Sequence, residues 1–146
     1  MKKFLNDPQN IRQEVLEGLA LANSSLLDIT EDKLIVNKKL NEADRVTVVS
    51  LGGVGHEPGL SGFVGDGMLD ISVPGNIFAA PSPSLCLEAL KLADKGHGTL
   101  LVVLNHTSDV MTAKMTMNLS LIHISVPLPP AILAPPMTAP EIALSS

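Results

Sequence analysis

The sequence predicts an α/β fold, a mixed or parallel sheet with flanking helices. Strand-length β-branched runs alternate along the chain with segments of helical spacing, which is the order of crossover-connected strands. The run Thr99 to Leu104 is continuously apolar and of strand length, the mark of a strand covered on both faces. Glycine turns or short polar loops follow the apolar runs, as they do where strands hand over to helices.

In chain order, Asp7-Pro8 reads as a helix start, a carboxylate N-cap followed by proline, and Ile11, Val15 and Leu19 recur at four-residue spacing. Asn23-Ser24-Ser25 ends that helix, and Lys33 to Asn37 forms a short strand. Val46, Val48 and Val49 fit a short buried strand, after which Gly52, Gly53 and Gly55 let the backbone turn tightly. Residues 59–67 are too rich in glycine for a helix. Leu69 to Val73 alternates apolar and polar residues, and Pro74-Gly75 then turns the chain. Ile77 to Ala80 is short and partly extended. Pro81 to Ser84 starts a helix that Leu85, Ala89 and Leu92 continue to about Asp94, and Gly96 and Gly98 end it. After the strand at Thr99 a helical pattern runs through Val110 and Met117. Leu121 to Val126 fits one more strand. From Pro127 to Ser146 stand more than half of the prolines and a single charge, Glu141, so this part is expected to be extended or disordered. The organisation is one α/β region over residues 1–120, then a possible strand and a proline-rich tail over 121–146.

Composition narrows the function. A net charge of −5 with no basic stripe argues against nucleic acid or an anionic membrane as partner. Three phenylalanines and no Trp or Tyr leave no stacking platform for bases. The lone Cys86 excludes an internal disulfide and a cysteine metal cluster, suits a reducing cytoplasm and is expected to pack. No segment reads as a signal peptide or a membrane span. A small neutral or phosphorylated metabolite fits better as ligand.

The chemistry concentrates in two stretches. In Arg45 to Gly55 a strand meets a glycine cluster, and His56 stands at its mouth, where open α/β sheets bind ligands beyond the carboxyl ends of strands. A glycine turn after a strand can equally be a tight connection and nothing more. Asn105-His106-Thr107-Ser108-Asp109 follows the buried strand and faces the same rim, so a histidine and an aspartate brought together there could act as an acid/base pair on a hydroxyl. Ser108 or Asp109 could instead serve only as a helix cap. His56, His97, His106 and His123 lack the spacing of a metal ligand set, and no metal is expected.

Gly52-Gly-Val-Gly-His-Glu-Pro58, Gly62-Phe-Val-Gly-Asp-Gly-Met-Leu69 and Asn76-Ile-Phe-Ala-Ala-Pro81 closely resemble the substrate-binding K part of dihydroxyacetone (glycerone) kinases. Lys3 to Pro8 and Asn105 to Val110 fit the same family in order and spacing. The resemblance implies the N-terminal portion of an α/β subunit that holds dihydroxyacetone or a related short ketose. A separate helical subunit or domain would carry ATP or ADP with Mg and deliver the phosphoryl group, either from ATP directly or through a phosphotransferase relay. On this basis the chain itself binds no cofactor and is inactive alone, and a homodimer is an allowed assembly.

Carried over by motif, Gly53, Val54 and Gly55 line the substrate pocket with His56 and Asp109, and His56 and Asp109 serve the substrate hydroxyl as acid/base groups. That assignment suits the reaction, because a hydroxyl attacks phosphorus more readily as a placed base removes its proton. The departures are Val54 where the family usually has Ser, Leu104 for Lys, Ser108 for Gly and His106 for Tyr. Leu104 removes a cationic donor from the pocket. The family's later half, with a histidine that bonds the substrate carbonyl, has no counterpart in these residues, so the chain is expected to be truncated relative to the family fold. A non-catalytic ketose-sensing coactivator related to the kinase, or an inactive fragment, is the alternative.

Overall fold

The computed structural model describes residues 6–123 and 132–133, with side chains from Asn6 to Ser120. The strands are β1 (Leu27–Ile29), β2 (Ile35–Asn37), β3 (Thr47–Val54), β4 (Ile71–Ile77), β5 (Thr99–Val103) and β6 (Ile132–Leu133). The helices are α1 (Ile11–Ala22), α2 (Pro83–Ala93) and α3 (Thr107–His123). The strands form one mixed sheet in the order β1-β2-β4-β3-β5-β6. β1, β2 and β4 pair antiparallel, whereas β3 runs parallel to β4 and to β5, and β6 parallel to β5.

β3 is central because its alternation serves two covered faces. Val49 and Leu51 point to one face, where they pack with Ile71, Val73 and Leu101 under α2 and α3. Val54 belongs to the opposite cluster, with Leu16 of α1, Ile35 and Val64. Cys86 of α2 lies in the first cluster, as its packing role required, and burial pushes its thiol up to about 11.

Local capping chemistry sets the starts of the first helical turn and of α2. Asp7 accepts from the Gln9 N–H, but the first turn it caps, Pro8–Asn10, is a 3-10 turn ahead of α1. The Ser82 hydroxyl caps α2 by accepting from the Leu85 N–H at 3.2 Å. Three boundaries differ from expectation. β3 continues through Gly52 and Gly53, so the turn falls only at Gly55, where φ is +101°. β4 continues through Pro74-Gly75 instead of turning there. Pro74 is tolerated because β2 pairs with β4 only at Ile71 and Ser72, so no partner on that side needs its missing N–H. Leu121 to His123 close α3 rather than opening a strand, and β1 was not foreseen. The remaining residues of the expected strand, and the tail from Pro127 apart from Ile132–Leu133, lie outside the described residues.

One ion pair ties the start of β3 to the start of β4. Asp70 is fully buried and accepts from Arg45 Nη1 and Nη2 and from the Val48 N–H, each at 2.8 Å. Its own N–H donates to the Val48 carbonyl at 2.8 Å. Replacing Asp70 with Ala keeps that backbone bond but strips the three carboxylate bonds and leaves the Val48 N–H without its acceptor. Asp70→Ala should therefore cost about 2–3 kcal/mol, read by urea unfolding, with Asp70→Asn costing less.

Candidate functional site

Because β3, β4 and β5 run parallel, their carboxyl ends reach one rim, and the segments that leave them meet there. Two contacts bring the segment after β4 against the end of β3. The Phe78 N–H donates to the Val54 carbonyl at 2.8 Å, and Ala79 lies directly over Gly53. A Cβ at Gly53 would stand 2.6 Å from the Ala79 nitrogen, and one at Gly75 would overlap the Ala79 carbonyl oxygen. Backbone passes over backbone here, which only glycine permits.

The turn at Gly55 is pinned from within. Its N–H donates to both carboxylate oxygens of Glu57, at 3.1 and 2.9 Å. Phe78 adopts a left-handed backbone, φ +51°, and lays its ring over Gly55, whose hypothetical Cβ would come within 2.9 Å of Phe78 Cε1. His56 is thereby presented between two rings. Phe78 meets it edge-on, with centroids 4.9 Å apart at 69°, and the His106 imidazole lies near-parallel at 6.1 Å and 16°.

From the third segment, the His106 carbonyl accepts from the Val110 N–H at 3.0 Å, so His106 stands at the entrance of α3 and Asp109 in its first turn. This spacing places both side chains on one side of the helix start. Asp109 is only 4% exposed. Burial raises its carboxyl above the ordinary range, and the charges of His106 and then His56 pull it partly back.

These groups surround an open cavity of two lobes, about 350 and 210 Å³, which share Gly53, His56, His106 and Asp109. Phe78, Ala79, Ala80 and Ser108 complete the larger lobe, and Gly52, Gly59, Leu60 and Leu104 the smaller. Of the residues expected from sequence, Gly53, His56 and Asp109 come together. Val54 turns its side chain into the core and Gly55 forms the turn, so both shape the cavity rim without lining it. His97 lies elsewhere, with its Nε2 2.7 Å from Asp44 Oδ1. The His123 side chain lies outside the described residues. Sequence reasoning missed Phe78, whose left-handed backbone and exposed ring leave no trace in residue pattern, and Leu60.

Chemically the site offers two imidazoles and a carboxyl whose pKa burial raises, suited to hydroxyl and carbonyl groups. Among the described residues no lysine or arginine lines either lobe. Among the described residues no three His, Cys, Asp or Glu side chains are placed to hold a metal ion, and no helix is long and apolar enough to cross a membrane.

The Dak1 domain model matches residues 17–126. The chain belongs to the Dak1 family. A relative in Lactococcus lactis, described as the dihydroxyacetone-binding subunit DhaK of a PTS-dependent dihydroxyacetone kinase, is 42% identical over 114 residues, which is 78% of this chain and 34% of the relative. The dihydroxyacetone kinase of C. freundii, solved in complex with AMP-PNP and Mg2+, superposes with a TM-score of 0.76 at 32% identity, covering 83% of this chain and 23% of that one. A dihydroxyacetone kinase operon co-activator, Dha-DhaQ, superposes at 0.69 and 29% identity over 75% of this chain and 33% of its own. This Dak1 chain thus spans about a third of the length of the curated relative it matches. The mixed sheet with flanking helices expected from sequence is the Dak1 architecture.

Since burial raises Asp109, its charged form costs the fold stability that the protonated form does not. That cost is absent below the ordinary carboxylate range and sets in as pH rises through the raised value. Asp109→Asn should therefore unfold at a higher temperature than the parent at pH 7, and the difference should vanish near pH 3, as thermal melts across pH would record.

Proposed function

We propose that this Dak1 chain carries the substrate-side portion of a dihydroxyacetone kinase, holding dihydroxyacetone or a related short ketose while a phosphoryl group is delivered from outside. The observation that carries this reading is the meeting of His56 and the bare backbone of Gly53, from the end of β3, with Asp109, from the start of α3, in one small cavity. His56 and Asp109 act on the attacking hydroxyl, one accepting its proton and the other orienting it. Gly53, with Val54 and Gly55 shaping the backbone around it, lets the ligand approach the main chain.

The nucleotide belongs to a helical partner subunit or domain. A cavity with no lysine or arginine among its described lining residues offers little to a triphosphate and suits an uncharged ketose. Delivery is by ATP with Mg, or by a phosphotransferase-recharged ADP, on that partner. Cys86 as a lone buried thiol accords with work in the cytoplasm.

A second reading, a ketose sensor that reports to transcription, is favoured by Leu104 in the cavity wall and by the likeness to the co-activator. Phosphorylation in the presence of the helical partner separates the two.

Dihydroxyacetone at a hundredfold excess over its dissociation constant should stabilise the chain by about 2.7 kcal/mol, seen as a raised thermal midpoint. With the nucleotide-carrying partner added, His56→Asn and Asp109→Asn should each lower ketose phosphorylation by about 10²–10⁴-fold. An unmoved midpoint would remove the ketose site. A raised midpoint without turnover would leave the sensor.

A further inference from the structure

Among the described residues His106 is the one side chain with hydrogen-bonding capacity in both lobes that the reading above leaves without a task. It lines the larger and the smaller lobe alike, whereas Ser108 reaches only the larger. Its position is held by the start of α3, through the bond from the Val110 N–H to its carbonyl, so the ring is carried on a regular element rather than a free loop. The ring stands 6.1 Å from that of His56 and nearly parallel to it, and the two imidazoles reach the shared space from different segments. Around them Leu60, Leu104, Phe78 and Ala79 are apolar. A ligand with a single polar end would satisfy His56 and Asp109 and leave His106 facing hydrocarbon. A short ligand with a hydroxyl at each end would use all three.

We propose that His106 is a specificity-determining residue of this cavity, hydrogen-bonding a second hydroxyl of the ligand beside the one held by His56 and Asp109 and so selecting small ketoses that carry a hydroxyl at both ends. This rests on the cavity being a ketose site. The selection follows from the cost of leaving a polar group of a built site unpaired, which penalises a ligand that lacks the matching hydroxyl. A shorter analogue can turn round in the cavity, but it loses one contact either way.

The test compares dihydroxyacetone with hydroxyacetone, which lacks one hydroxyl, by titration into the full chain. The parent should bind dihydroxyacetone about tenfold more tightly. In His106→Leu the two affinities should fall within about twofold of each other, and His106→Gln, which keeps a donor and an acceptor, should retain part of the preference. A folded His106→Leu that keeps the parent's preference overturns the inference and leaves the ketose site standing. So does a parent that binds both compounds equally. A parent that binds neither overturns the ketose reading and this inference with it. Should His106→Leu not fold, the parent's own imidazole NMR signals decide: the His106 resonances must move more with dihydroxyacetone than with hydroxyacetone, and resonances that stay still overturn the assignment.

Discussion

The parallel pairing of β3 with β4 on one side and β5 on the other is the constraint from which the candidate site follows. In that register Ser50 stands between Ser72 and Val102, and three strands end on one rim. Side-chain alternation along β3 then feeds two separate cores, one under α2 and α3 and one with α1. A one-residue slip of β3 would exchange the two faces. The Arg45–Asp70 pair, bound to the Val48 N–H, guards against such a slip at the far end of the same strands.

At the rim the site depends on backbone meeting backbone. Gly53 and Gly75 have no room for a side chain because the segment through Ala79 lies on top of them. That close passage brings Phe78 over Gly55 and sets the edge of its ring against His56. The orientation of His56 thus derives from two bare positions and a left-handed residue. Glu57, bound to the Gly55 N–H, contributes by holding the turn.

Electrostatically the cavity is unusual for its polarity. Asp109 is buried beside His106 and His56, and among the described residues no lysine or arginine lines the cavity. A fold optimised for stability alone would not place a carboxyl there, and the cost is of the kind tolerated at functional positions. Leu104 deepens this character, since an apolar wall strengthens whatever hydrogen bonds a ligand makes with the neighbouring groups.

Much of this molecule was legible in its residues, and the division has a physical cause. Local chemistry decided the element starts: the Asp7 and Ser82 caps, the helical spacing of α1 and α2, and the apolar run of β5 all act within a few residues and need no partner. The two site-like stretches were recognisable for a related reason, because polar and glycine-rich segments directly after buried strands must emerge at a sheet's rim. What local chemistry could not decide was how far β3 and β4 run. Gly52, Gly53, Pro74 and Gly75 are turn residues by their own preference, and they are extended only because neighbouring strands pair with them and a loop crosses above. The meeting of His56 with His106 and Asp109, and the burial that raises Asp109, belong to tertiary structure alone. They arise where segments far apart in sequence are brought to one edge by strand pairing, and no property of the separate segments encodes the distance between them.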